Sequence, residues 1–510
     1  MAPATLLQTV LPFAPTYAHL LVAALFPIYT GAHASLCRPQ NTLTPKQVRA
    51  LRPKHSSEDY SDEDEEHEIE AAATPRENLT AQDAMLFPVT AGILLGTLYF
   101  LIKYLNDPSL LLTALTYYFC LMGMFAVGKG YADALDVLSR YLFPYQYRDR
   151  NGVLFTAGFD SWTAEDGKEY DHSPSPILPL PRALNSVVWA LRRELGAKLV
   201  VDFTHREKNV KQWLKFGDLC GPFVGAVVVV AYAAGGKHWL LTNIMGISFS
   251  YSAMQVISLS VPRAFCSLRE SKLLSPTTFP IATLLLGLLF CYDVFFVFFT
   301  PLMVTVATSL DVPIKLLFPR PGTSANGGPM LAMLGLGDIV LPGIVIAMAL
   351  RWDLWRFHEI QRQALLHVAK QSLGELTKEE ISVLKPRYHK DADFPKPYFK
   401  ASMVGYMLGM ITTLGVVHVF QHAQPALLYL VPAVLISVWG TALVKGEAKV
   451  MWNYTEEGEP DEDAEKKGED ENKEVQKPVV KGEVDRDVIA LKVVRRPALG
   501  ARIVETTGRG

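Results

Sequence analysis

Nine runs of about 20 mostly apolar residues, the length that lets a helix cross a hydrocarbon core, recur near 10–32, 84–105, 109–128, 217–235, 239–262, 279–300, 330–350, 401–419 and 424–444. No other feature restricts the fold as much. Within a bilayer each backbone N–H and C=O needs a protein partner, so a spanning segment is a helix or part of a closed barrel. Runs this long, without polar alternation, read as helices. The sequence therefore predicts an all-α polytopic membrane protein of nine transmembrane helices. Mean hydropathy is +0.17 although 20% of the residues are charged, because the charges are confined to the connections. The first run has no Lys or Arg before Arg38. It lacks the basic segment of a cleavable signal and is read as a retained span, roughly Leu11 to Ala32, interrupted by Pro15 and Pro27.

Lys and Arg decide the orientation. Connections 36–83, 129–216, 263–278 and 351–400 carry 6, 13, 3 and 10 of them. The alternate connections carry Lys237, Lys315 and Arg320, with Lys103 at a helix end. Basic residues mark the cytosolic side, so the N-terminus is expected to be lumenal or exterior and the C-terminus cytosolic. The expected organisation is a lumenal N-terminus with span 1 (1–35), an acidic and disordered cytosolic loop (36–83), and spans 2–5 (84–262) holding the long cytosolic loop 129–216. Spans 6–9 (279–444) and a charged, disordered tail (445–510) follow. Loop 129–216 holds scattered aromatics and "SPSPILPLPR", too little for a domain. Sequons at Asn78 and Asn453 both fall on the cytosolic side, so neither is expected to be glycosylated. The five cysteines show no CxxC and suggest neither a disulfide framework nor a metal site. A net charge of −2 gives no reason to expect a nucleic-acid partner.

Two carboxylates stand inside these runs: Asp293 in "LGLLFCYDVFFVFFTP" and Asp338 in "MLGLGDIVLPGIVIAMAL". An acid at mid-span costs about 2.5–3.5 kcal/mol on insertion scales and usually marks function. Asp293 lies 14 residues beyond Phe279 and Asp338 13 residues before Arg351, both about 20 Å from the cytosolic boundary at 1.5 Å per residue. At equal depth they can meet and share one proton, the arrangement with which aspartic proteases activate water against an amide. Gly335 and Gly337 precede Asp338 in what reads as a helix interior, where each costs up to about 1 kcal/mol against Ala and leaves room for another backbone. Pro342 lacks the N–H that would bond the Asp338 carbonyl. Helix packing in lipid and a proline kink would explain the same residues without function. Paired acids in Gly/Pro-broken spans also describe proton-coupled transporters and channels, although the two halves of this chain show no matching pair of interrupted spans. A silent adaptor that binds membrane segments would need neither acid.

"YD" (Tyr292, Asp293), "GLGD" (Gly335 to Asp338) and "QPALLYLVP" (Gln424 to Pro432), in this order on late spans, resemble the signal peptide peptidase family of GxGD intramembrane aspartyl proteases. "VPIKLLFP" (Val312 to Pro319) and "KGE" (Lys445 to Glu447) extend the match, which covers roughly residues 239 to 450. The resemblance implies nine helices with Asp293 and Asp338 as the catalytic pair and no cofactor. Tyr292, Gly335, Gly337 and the PAL residues Pro425, Ala426 and Leu427 would support the site. It also implies residence in the endoplasmic reticulum membrane. The substrates implied are membrane-embedded signal peptides and other type II segments, with a homo-oligomer or a quality-control complex as further partners. The orientation read from basic residues agrees with this family and is opposite to that of the related presenilins.

Connection 263–278 is longer than the family pattern, the chain ends in "TTGRG" rather than a dilysine signal, and no large lumenal domain is expected before span 1. Pro425 lies 20 residues from Lys445, about 30 Å if all helical, which puts it above the acids unless span 9 passes the cytosolic surface or the PAL segment is unwound. A second "PAL" at Pro497 to Leu499 and the "KFGD" ending at Asp218 are read as decoys. Neither a GxSG serine motif nor an HExxH zinc motif occurs.

Overall fold

The computed structural model describes residues 11–36, 81–104, 109–149, 153–158, 160–164, 168–175, 181–205, 208–236, 238–258, 278–309, 312, 315–323, 329–371, 394–420, 424–455 and 490–496. The acidic run Ser56–Glu70, Asn78, connection 263–277, tail residues 456–489 and the second PAL lie outside them.

In chain order the helices are α1 (Ala14–Ala34), α2 (Ala81–Tyr104), α3 (Ser109–Leu142), α4 (Arg182–Gly196), α5 (Phe216–Ala234), α6 (Trp239–Ser258), α7 (Phe279–Phe298), α8 (Leu302–Ser309), α9 (Gly337–Gln371), α10 (Pro397–Phe420), α11 (Leu427–Val444) and α12 (Ala448–Trp452). Six stretches among the described residues are long and apolar enough to cross a membrane: Gln82–Tyr104, Ser109–Leu142, Phe216–Ala234, Phe279–Phe298, Pro397–Phe420 and Leu427–Val444. The other three expected spans fall on α1, α6 and α9. Pro15 lies at the start of α1 rather than inside it, where its missing N–H is one the helix leaves unpaired anyway, whereas Pro27 is internal.

The described residues divide into two compact units. The first comprises residues up to Tyr117, 250–258 and 278–455. At its centre is α9, in contact with α1, α7, α10 and α11 and buried without a break from Pro342 to Leu354. From Pro342 to Leu350 the helix is apolar all round and has no solvent face to offer, so burial among other helices is its stable place. By contrast Phe295 and Phe298 of α7 and Phe299 just after it are exposed. Close packing of α10 on α11 depends on Gly405 and Gly409: a Cβ on Gly405 would lie 2.7 Å from the Ala433 carbonyl oxygen, and one on Gly409 3.1 Å from the Leu430 Cα.

Expected span 330–350 is corrected at its start. Residues 329–335 are not helix but a strand, β8 (Pro329–Gly335), antiparallel to β7 (Lys315–Thr323), with Leu316 opposite Leu334 and Lys315 opposite Gly335. Leu316, Leu317 and Phe318 are buried, and Thr16 of α1 donates to the Pro319 carbonyl at 2.9 Å. The tail is likewise corrected between 445 and 455. There α12 and the residues after it fold back, with Tyr454 buried against Phe279, Trp352 and Trp355.

The second unit, residues 118–249 with 490–496, overturns the reading of loop 129–216 as too poor for a domain. Helix α3 continues to Leu142. Beyond it β1 (Gln146–Arg148), β2 (Leu154–Ala157), β3 (Trp162–Ala164) and β4 (Glu169–Tyr170) form an antiparallel sheet. Phe155, Trp162 and Ala164 of that sheet pack with Trp189 of α4. The Arg192 guanidinium lies 5.3 Å from the Trp162 ring and 4.9 Å from that of Trp189, and burial lowers its pKa from the usual arginine value. A second sheet runs β6 (Lys208–Lys215), β5 (Lys198–His205), β9 (Ala490–Arg496), so part of the tail expected to be disordered is a strand. The decoy Asp218 caps α5, its side chain accepting the Lys215 backbone N–H at 3.1 Å.

Candidate active site

Each acid is positioned by a different local device. Asp293 lies in the interior of α7 and is buried, with 4% of its surface exposed. A carboxylate there needs a donor, and it has one: the Leu427 backbone N–H donates to its Oδ2 at 3.0 Å. Leu427 is the first residue of α11, whose leading N–H groups have no partner in their own helix. Pro425 and Ala426 precede that helix, so the PAL segment is not helical throughout. The unwound alternative for Pro425 is the one observed, and it brings Leu427 level with Asp293.

Asp338 lies in the first turn of α9. "GLGD" is therefore a junction from strand to helix, not the helix interior the sequence suggested. β8 ends at Gly335, the Leu336 carbonyl accepts the N–H groups of Ile339 and Val340 at 3.1 and 2.9 Å, and α9 begins at Gly337. Gly335 flanks the acid directly: a Cβ there would stand 3.5 Å from Asp338 Oδ2. At Gly337 a Cβ would meet only the Leu341 side chain, at 4.0 Å. The carbonyl of Asp338 has lost its helical partner to Pro342, as expected, and instead accepts a hydrogen bond from the Tyr406 hydroxyl of α10 at 3.2 Å.

Helices α7 and α9 are in contact, and the two carboxylates lie within electrostatic reach of one another. The residues counted from Phe279 to Asp293 and from Asp338 to Arg351 are continuous helix. Tyr292 also lies within electrostatic reach of Asp293. Its ring packs on Phe296 at 4.6 Å and against Gly92 of α2, where a Cβ would lie 3.6 Å from it. Pro425 and Leu427 are buried and Ala426 is half-buried. Sequence reasoning missed Tyr406. One tyrosine in an apolar run carries no signal, and only the missing N–H of Pro342 indicated that an acceptor would be vacant.

A bundle of long apolar helices with an acid on each of two touching helices fits the class of multi-pass intramembrane aspartyl proteases. A family model described as "Signal peptide peptidase" matches residues 71–458. The signal peptide peptidase of Mus musculus is 30% identical over 465 residues, 90% of this chain and 88% of the relative. That of Homo sapiens is 29% identical over 450 residues, 87% and 84% of the two chains. Intramembrane protease 2 of Caenorhabditis elegans is 36% identical over 240 residues, 46% of this chain and 42% of its own. The chain belongs to the signal peptide peptidase family.

Proposed function

We propose that the chain hydrolyses peptide bonds within the bilayer through an Asp293/Asp338 dyad, on type II-oriented segments such as signal peptides left in the endoplasmic reticulum membrane. The observation that supports the assignment is that the two acids stand on helices α7 and α9 that touch, within electrostatic reach of one another. One ionised carboxylate takes a proton from water as it attacks the amide carbon, and its protonated partner donates to the carbonyl oxygen. The tetrahedral adduct collapses as the departing amine takes up a proton, and no metal is required. The basic connections support nine spans with a lumenal N-terminus and a cytosolic C-terminus, which sets the direction of the segments that enter. A helical substrate buries its amides in its own hydrogen bonds and must be extended before attack. Among the described residues the β7–β8 sheet has two strands, and β8 runs directly into the GLGD turn, so its free edge is suited to holding an extended peptide beside Asp338. A second copy of the chain, or a quality-control assembly that delivers substrates, belongs to the same proposal.

Purified protein with a labelled signal peptide in detergent or liposomes provides the test. Asp293→Ala and Asp338→Ala are each expected to reduce cleavage to background while the helical circular dichroism is retained. Cleavage that persists in Asp338→Ala overturns the dyad, and substrate flux without cleavage would indicate a transporter.

A further inference from the structure

In the first turn of α9 one backbone acceptor cannot be satisfied by the helix. The Asp338 carbonyl would bond the N–H of residue 342, which is proline. The Tyr406 hydroxyl occupies that place at 3.2 Å. Tyr406 is fully buried at 0% exposure, where phenylalanine would fill almost the same volume and a phenol requires a partner. Its own placement is narrowly set, since Gly405 beside it and Gly409 one turn on seat α10 against Ala433 and Leu430 of α11. Helix α11 in turn supplies the Leu427 N–H to Asp293. A continuous path of contacts therefore runs from the backbone of one acid, through Tyr406 and the α10–α11 seam, to the donor on the other acid.

We propose that Tyr406 is a positioning residue of the peptidase: its hydroxyl holds the turn that carries Asp338, in place of the backbone bond removed by Pro342, and so sets the spacing of the two acids. This rests on the dyad reading. The hydroxyl acts through the main chain of Asp338 and does not touch the substrate. Its loss misplaces the acid in the transition state without altering how the substrate segment binds.

Tyr406→Phe tests this, because it deletes one oxygen and keeps the ring. The variant is expected to lower kcat about tenfold, the size of one lost positioning hydrogen bond, with KM for a labelled signal peptide within about twofold of wild type. In a Pro342→Ala background the restored N–H can take the Asp338 carbonyl, so Tyr406→Phe should there cost less than in the wild-type background. If Pro342→Ala does not fold, Pro342→Gly supplies the same N–H. Wild-type kcat in Tyr406→Phe, a loss confined to KM, or equal losses in the two backgrounds overturns the proposal. Asp338→Ala in the same assay separates the two readings. If it still cleaves, the dyad fails, and if it is dead beside a fully active Tyr406→Phe, only the role of the tyrosine fails.

Discussion

Leu427 contributes to the site an atom that every residue except proline carries, its backbone N–H. That makes its contribution separable from its side chain. Proline is tolerated at the first position of a helix but disfavours the helical backbone that Ala426 has before it, so Leu427→Pro removes the donor to Asp293 and also strains the entry to α11, while Leu427→Ala trims the buried side chain and keeps the donor. We expect Leu427→Pro to cleave about tenfold more slowly than Leu427→Ala, the cost of leaving a buried acceptor without its partner, measured as initial rates on a labelled signal peptide. At this scale the sequence was informative where the residue type itself is costly. Asp293 and Asp338 stand out because an acid in hydrocarbon needs a reason. Leu427 and Tyr406 are ordinary members of apolar runs, and nothing in their type indicates a contact with either acid.

Between elements, close approach and capping decide the geometry. The spacing "GYMLG" from Gly405 to Gly409 is a small-xxx-small pattern. A methyl group at Gly405 would stand 2.5 Å from Ser437 Oγ and 2.7 Å from the Ala433 carbonyl. The hydroxyl can turn away, but the carbonyl cannot. Gly405→Ala is therefore expected to destabilise the protein by about 1–3 kcal/mol. Gly96→Ala on α2, where a Cβ meets nothing within 4 Å, should change stability by less than about 1 kcal/mol. Thermal unfolding in detergent compares the two. A second joint lies midway along α9. The Asp353 carboxylate is buried at 2% exposure and accepts the Tyr398 and Phe399 N–H groups that open α10, at 3.4 and 2.9 Å. The Tyr398 hydroxyl donates to Glu447 at 2.7 Å, and Glu447 pairs with Arg356 of α9 at 2.6 Å. Asp353→Ala leaves two buried donors without partners and should cost roughly 2–4 kcal/mol, read as a lowered unfolding midpoint. The β7–β8 hairpin was not legible in the sequence. A short apolar run such as Met330 to Gly335 has the same composition as a strand or as part of a span, and attaching it to the long run that follows was the simpler reading.

For the whole molecule, the side on which Lys and Arg lie predicts the orientation. Asn453 follows α12 beside the buried Tyr454, whose ring packs on Phe279 of α7 and Trp352 of α9. With the C-terminus cytosolic, its sequon should remain unmodified in cells. A glycosidase-sensitive mass shift that disappears in Asn453→Gln would reverse the topology. Apolar length, the sidedness of Lys and Arg and the two costly acids were all determined by the sequence alone. Each is a property of one segment, set by the free energy of its own residues in lipid or water, and none depends on which neighbour the segment meets. Tertiary structure alone decided that loop 129–216 closes around Trp162 and Trp189, because their contact joins distant parts of the chain. It also decided which N–H reaches Asp293 across 134 residues of chain and which hydroxyl reaches the Asp338 carbonyl across 68. Those pairings arise from helices packing at close range, and hydropathy and spacing within a single segment carry no record of the atoms that another segment will bring.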